Sequence, residues 1–179
     1  MNPPKRDSVQ EAFAALRDEA VKRSEARLET GVPRIHIGMA TCGIASGALE
    51  TRAAFEEILK ERNIEAGLHS VGCIGHCYAE PIVVVENPGF PPLLYYRVTP
   101  GKARMIVRSF LQDGDPLFEV LLGAMEENDL IPAVTDFARF NRERRVVTEH
   151  CGRIDPEDIY EYIASGGYES LVQALQGSP

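Results

Sequence analysis

Cys73 and Cys77 lie in Val71-Gly72-Cys73-Ile74-Gly75-His76-Cys77-Tyr78-Ala79-Glu80-Pro81, with three residues between them. Glycines in such a loop let the chain turn two thiolates toward one point and leave neighbouring amide N–H groups aimed at sulfur. A metal ion or an iron–sulfur cluster takes donors of that kind. Disulfide exchange is the weaker reading, because a thioredoxin dithiol has two intervening residues rather than three. Cys42 is the remaining cysteine of the same half of the chain. Clusters are normally held by four thiolates and structural zinc by four Cys or His ligands, so one donor is missing. His69 and His76 are the nearest nitrogens. Each is read first as a hydrogen-bonded residue, and a zinc site completed by one of them stands behind the cluster reading.

The elements that must bring these cysteines together follow from periodicity. Ser8 to about Leu28 reads as a charged helix, capped by Asp7 or Ser8, with a thin stripe of Val9, Phe13, Leu16 and Val21. It is expected to be a solvated helix, or a segment that docks on another subunit, and Gly31-Val32-Pro33 stops it. Arg34–Met39 alternates as a strand and runs into a loop of small residues, Thr41 to Gly47, that holds Cys42. Ala48–Arg62 is a helix with Phe55, Ile58 and Leu59 on one face, a Glu56–Lys60 pair on the other, and Asn63 closing it. Ile64–Val71 is a second strand and leads into the Cys73–Cys77 loop. Ile82–Val85 and Leu93–Val98 are the third and fourth, paired as a hairpin across Asn87-Pro88-Gly89. Thr99 caps and Pro100 opens a helix that buries Ala103, Ile106, Val107, Phe110 and Leu111 and ends at Gly114. The expected fold class is α/β: a thioredoxin-like, four-stranded mixed sheet flanked by helices, with an N-terminal helix and a mainly helical C-terminal extension. In that arrangement the two cysteine-bearing loops lie at one end of the sheet.

Beyond it, Asp115-Pro116 starts a short helix to about Leu122, and Glu126–Pro132 is a polar connector. Arg139, Arg142, Arg144 and Arg145 are read as a solvated or interface surface. Asp155-Pro156 caps a helix with Ile159 and Ile163 on one face, closed by Gly166-Gly167, and Tyr168–Leu175 is a last short helix. The expected divisions are residues 1–32, 33–125 and 126–179. The end, Gly177-Ser178-Pro179, reads as the start of another capped helix.

Composition narrows the classes. The 179 residues are 44% hydrophobic and 26% charged, with a formal net charge of −8. No basic patch with interleaved aromatics is present, so a nucleic-acid partner is not expected. Apolar runs are too short to span a bilayer, and the polar Met1–Asp7 is no signal peptide, so no membrane insertion and a cytoplasmic location are expected. Four cysteines in such a chain point to metal or redox chemistry rather than a disulfide framework. No nucleophile–base constellation or phosphate loop is visible.

Arg34 to about Gly114 resembles the thioredoxin-like [2Fe-2S] ferredoxin domain found in flavoprotein modules of NADH-quinone oxidoreductase (complex I) and of NAD-linked hydrogenases. Gly72-Cys73-Ile74-Gly75-His76-Cys77, Glu80-Pro81 and Tyr96-Arg97-Val98-Thr99-Pro100 carry the resemblance. It implies a [2Fe-2S] cluster on Cys42, Cys73 and Cys77, one ligand short. In that family two cysteines follow the first strand; aligned on Gly47, their positions here are Gly38 and Gly43, and Cys42 is one residue off the second.

A second resemblance lies in Arg145-Val146-Val147-Thr148-Glu149-His150-Cys151-Gly152-Arg153-Ile154-Asp155-Pro156 with Tyr162-Ile163-Ala164-Ser165-Gly166-Gly167-Tyr168. This is similar to the segment preceding the flavin domain in the NADH-binding, FMN-carrying subunit of complex I and in NAD-reducing hydrogenases and formate dehydrogenases. It implies that FMN and a [4Fe-4S] cluster belong to a downstream region not in this chain, so the chain by itself is not expected to oxidise NADH. The two together imply an electron-transfer domain of an NADH:acceptor oxidoreductase, whose partners are the other subunits of that complex. The alternative is a docking domain of the same subunit without a cluster. Cys151 is read as structural.

Overall fold

The computed structural model describes residues 6–29 and 31–176. The readings of Met1–Lys5 as part of a polar, uncleaved start and of Gly177-Ser178-Pro179 as a helix start lie outside the described residues. The elements are α1 (Arg6–Glu29), β1 (Arg34–Gly38), α2 (Thr41–Ala45), α3 (Ala48–Arg62), β2 (Gly67–Val71), β3 (Val83–Glu86), β4 (Leu93–Tyr95), α4 (Pro100–Ile106), β5 (Leu121–Ala124), α5 (Ile159–Ala164) and α6 (Glu169–Gln176).

They fall into two compact units: Gly31–Arg153, and α1 with the chain from Ile154 onward. The division expected at 125/126 therefore lies inside the first of these. The reason is visible in the sheet, whose two faces are both covered. Val83 and Val85 point, with Ile35, Ile37, Leu93 and Tyr95, toward Phe55, Ile58 and Leu59 of α3 and Ala103 and Ile106 of α4. Their neighbours Ile82 and Val84 face the other way with Leu94, where Val134 and Phe140 from the post-β5 segment close over them. Each such aliphatic or aromatic side chain gains about 1.5–3 kcal/mol from burial, so the segment after residue 126 completes the core rather than linking away from it.

The sheet order is β2-β1-β3-β4-β5. β1 pairs parallel with β2, with Gly38 opposite Val71, and antiparallel with β3; β3–β4 is also antiparallel. A parallel strand–helix–strand unit followed by an antiparallel pair and a helix is the thioredoxin-like arrangement, within the α/β class. The parallel pairing puts the C-terminal ends of β1 and β2 side by side, so the residues following each share one end of the sheet.

Helix α3 has the expected bounds. Gly47 enters it at φ 97° and Asn63 leaves it at φ 52°, both in the left-handed region that ends helical hydrogen bonding. Thr99 caps α4 through its Oγ1, which accepts from the Lys102 N–H at 3.4 Å. The helix continues as a π-helical turn over Val107–Gln112, and Gly114 closes it at φ 71°.

Several expectations are corrected. The sheet has five strands, not four: the stretch read as a helix after Asp115 is a 3-10 turn at Phe118–Val120 followed by β5, which pairs antiparallel with β4. Thr41–Ala45 is a short helix rather than a loop. Glu56 pairs with Arg52 at 3.0 Å, one turn before it, instead of with Lys60. The first helix begins at Arg6, which places Asp7 and Ser8 inside it rather than at its cap.

In the second unit Asp158, not Asp155, is the cap of α5: its Oδ1 accepts from the N–H groups of Tyr160 at 2.9 Å and Glu161 at 3.3 Å. Ile163 is buried but Ile159 is exposed, so they do not share a buried face. α1 buries Ala20, half-buries Val9, Phe13 and Val21, and leaves Leu16 exposed. Arg27 spans to Asp158 at 2.9 Å and Glu161 at 2.7 Å, and Arg23 stacks 3.7 Å over the Tyr160 ring. Among the described residues no helix is long and apolar enough to cross a membrane.

Candidate metal centre

Cys42 sits in the first turn of α2, just past the end of β1. Cys73 and Cys77 follow β2. The three sulfurs all lie within 4.8 Å of one another, and they form the group of convergent metal-type donors among the described residues. Residues about thirty positions apart in the chain are brought together by the parallel β1–β2 register. Cys73 Sγ and Cys77 Sγ are 3.6 Å apart. Two thiolates on one tetrahedral metal, each about 2.3 Å from it, stand about 3.8 Å apart, so the pair already has the spacing of donors to a common ion.

The loop is held from both sides. The N–H of Gly75, which has φ 91°, donates to Cys73 Sγ at 3.3 Å, the amide-to-sulfur contact expected of a cluster loop. A 3-10 turn at Cys77–Ala79 follows. Arg97 N–H donates to Ala79 O at 2.8 Å and Val98 N–H to Pro81 O at 3.0 Å, fastening the loop to the end of β4. His76, 1% exposed, stacks on Phe140 with ring centroids 4.1 Å apart, and its Nε2 is 3.0 Å from Glu143 Oε1. Arg139 lies 4.1 Å over the Tyr78 ring. At least this arginine of the solvated set therefore covers the loop.

Electrostatics fit a site that wants a cation. Burial pushes the Cys73 thiol up to about 12, against the Gly75 N–H and with the neighbouring thiols Cys42 and Cys77 adding to the rise. Burial raises the Cys42 thiol too; Cys73 opposes this, while Cys77 and the Glu80 carboxylate reinforce it. Several groups that become anions are packed together, and a bound cation is what would favour ionising them, with release of protons.

Of the two positions where the resemblance places cysteines, Gly43 is closed to a side chain and Gly38 is crowded. A Cβ on Gly43 would stand 2.0 Å from the Gly38 carbonyl oxygen, and one on Gly38 would meet the Glu80 carboxylate oxygens at 3.0 and 3.2 Å. Glu80 is 6% exposed, its Oε2 accepts from the Ile82 N–H at 2.8 Å, and Cys42 Sγ lies 3.8 Å from its Oε1. The sequence pointed to Glu80 only as a neighbour of Pro81. An acid inside an otherwise apolar and cysteine-bearing loop was the available signal.

Neither histidine joins the sulfurs. His76 is turned to Phe140 and Glu143, and His69 on β2 stacks on His36 at 5.2 Å. The group within 4.8 Å contains no nitrogen donor among the described residues, which removes the histidine-completed zinc site. Cys151 is also outside it, with its Sγ 3.5 Å from where a Cβ on Gly72 would stand. It packs the segment after Thr148 against the cysteine loop.

No protein-family model matches the chain. Over 108 residues it is 32% identical to NADP-reducing hydrogenase subunit HndB of Solidesulfovibrio fructosivorans, a match spanning 60% of this chain and 84% of that protein. A shorter match, 47% identical over 38 residues, is to subunit HndC of the same organism and covers 21% of this chain but 8% of HndC. Among solved structures, the wild-type thioredoxin-like [2Fe-2S] ferredoxin from Aquifex aeolicus aligns at 20% identity and TM-score 0.44, over 52% of this chain and 98% of the ferredoxin. A second structure of a thioredoxin-like [2Fe-2S] ferredoxin from that organism aligns at 19% identity and TM-score 0.46, over 55% and 96%. With most of HndB's length matched at that identity, the chain belongs to the family of the NADP-reducing hydrogenase subunit HndB.

Proposed function

We propose that the chain is an electron-transfer domain of an NAD(P)-linked oxidoreductase, in which Cys42, Cys73 and Cys77 hold a [2Fe-2S] cluster. The observation that carries this is the convergence of three thiols, from two separate sheet-end segments, to within 4.8 Å. Packing alone does not require three half-buried or exposed thiols at one point. Such a cluster, when bound, accepts and returns one electron at a time. The chain's own part is to orient and tune: the Gly75 N–H stabilises charge on Cys73 Sγ, and the buried His76–Phe140 stack fixes the loop between the two cysteines. Cys77 is the exposed member of the three, which suits electron exchange with a partner at the surface. Membership in the HndB family and the local match to HndC support a place among the subunits of a multi-subunit NAD(P)-linked complex.

Anaerobic purification followed by visible absorption, iron and acid-labile sulfide determination tests the reading. A coloured protein with iron and sulfide is expected, and Cys73→Ser with Cys77→Ser should abolish both. A colourless, iron-free chain under those conditions overturns it. The glycines at 38 and 43 favour a second reading, a docking domain of the same complex without a cluster. In that case the double serine variant leaves electron transfer by the assembled enzyme unchanged.

A further inference from the structure

We infer that the Glu80 carboxylate is the fourth ligand of the centre, paired with Cys42 across from the Cys73–Cys77 pair. This deepens the cluster reading and rests on it.

A two-iron centre needs two donor pairs, each pair about one tetrahedral edge apart. One pair is Cys73 and Cys77, at 3.6 Å. Cys42 Sγ and Glu80 Oε1, at 3.8 Å, make the other. Glu80 is not among the donors that lie within 4.8 Å of one another, so it is no fourth corner around an ion centred on the three sulfurs. It stands on the Cys42 side, where the second iron's remaining donor belongs.

The carboxylate is built in rather than adventitious. It is 6% exposed, and the Ile82 N–H holds Oε2 at 2.8 Å, which orients the group and leaves Oε1 toward Cys42. An outer hydrogen bond to the second oxygen of a monodentate carboxylate is the usual way such a ligand is aimed. Among the described residues no basic side chain forms an ion pair with this acid. A buried carboxylate without a cationic partner is costly, and a metal supplies that partner. The space next to Gly38 and Gly43 is also already taken: the Glu80 oxygens stand 3.0 Å and 3.3 Å from the Cβ positions of those residues. The chain thus has an oxygen donor on the side where the related ferredoxin domains are expected to have another thiolate.

The test is reconstitution of the full chain with ⁵⁷Fe and sulfide under anaerobic conditions, read by iron content and Mössbauer spectroscopy. The oxidised wild type should show two quadrupole doublets of equal area, one for an all-sulfur iron and one for an iron with an oxygen ligand. Glu80→Gln, close to isosteric, should lose half or more of the bound iron, and Glu80→Ala more still. A loaded wild type with a single doublet, or a Glu80→Gln protein that keeps both irons and both doublets unchanged, overturns the assignment of Glu80 alone. A wild type that takes up no iron and sulfide overturns the cluster reading beneath it. Because the wild-type spectrum decides by itself, a variant that fails to fold does not shelter the inference.

Discussion

Gly43 and Gly38 meet backbone to backbone: a Cβ on Gly43 would lie 2.0 Å from the Gly38 carbonyl oxygen. The start of α2 can approach the end of β1 this closely only because Gly43 carries no side chain. That approach is what sets Cys42 toward Cys73 and Cys77.

Gly43→Ala therefore acts on the site through the backbone. The clash is with a carbonyl, which no side-chain rotation relieves, so overpacking of this kind should cost about 1–3 kcal/mol or more. Urea unfolding should show the loss, and iron uptake by the variant should fall with it. Gly43→Cys should do the same and should not yield a four-thiolate centre. A Gly43→Cys protein with wild-type stability and extra thiolate absorption would contradict this packing.

Phe140 stabilises the cysteine loop through His76. Phe140→Ala removes the ring 4.1 Å from the buried imidazole and should lower stability, whereas Phe140→Leu restores apolar area but not the stack. Wild type should exceed Phe140→Leu by about 0.5–1.5 kcal/mol, read by chemical denaturation. A Phe140→Leu protein as stable as wild type would show that the stack adds nothing beyond area.

In the helical unit Asp158 has two tasks, capping α5 and pairing with Arg27. Asp158→Ala should cost about 0.5–2 kcal/mol as a lost cap. Burial pushes this carboxyl up, but Arg27 and the N–H groups of Glu161 and Tyr160 outweigh it and hold it below the usual range. The folded value is the lower one, so the contribution is complete above about pH 4 and fades as acid carries the pH down through the folded value. Asp158→Asn keeps a capping oxygen and should lose that acid dependence. Thermal melts from pH 3 to 6, with hydrogen exchange in α1 as a local readout, check it; identical pH profiles for wild type and Asp158→Asn would rule it out.

Phe55 is fully buried between α3 and the sheet. Phe55→Ala should cost about 3–5 kcal/mol, measured from the denaturation midpoint at unchanged slope. A loss under 1 kcal/mol would mean that the interior collapses around the gap.

Local rules sufficed where the chain carries its own stop signals. α3 matches the sequence reading because Gly47 and Asn63 take up left-handed backbone at its two ends. Thr99-Pro100 was equally plain. β5 was not, since Leu121, Leu122 and Ala124 suit a helix as well as a strand, and only pairing with β4 decides between them. Asp155 and Asp158 both look like caps; α5 uses the second while Asp155 Oδ1 accepts from Glu157 N–H at 3.0 Å in a turn of its own. At the site, the cysteines were legible by type and spacing. The buried position of Glu80 beside Cys42 was not, because it depends on strands that meet only in the folded sheet.

The spacing of the cysteines along the chain has a mechanical side. Cys42 precedes the crossover helix α3 and Cys73 follows β2, so a centre bound to both closes a loop of about thirty residues that holds α3 and β2. A bond across that loop removes conformations from the unfolded chain, as any crosslink does. Loading then works as a clasp on the parallel pair, and its loss should leave β2, one of the two edge strands, the first to come free.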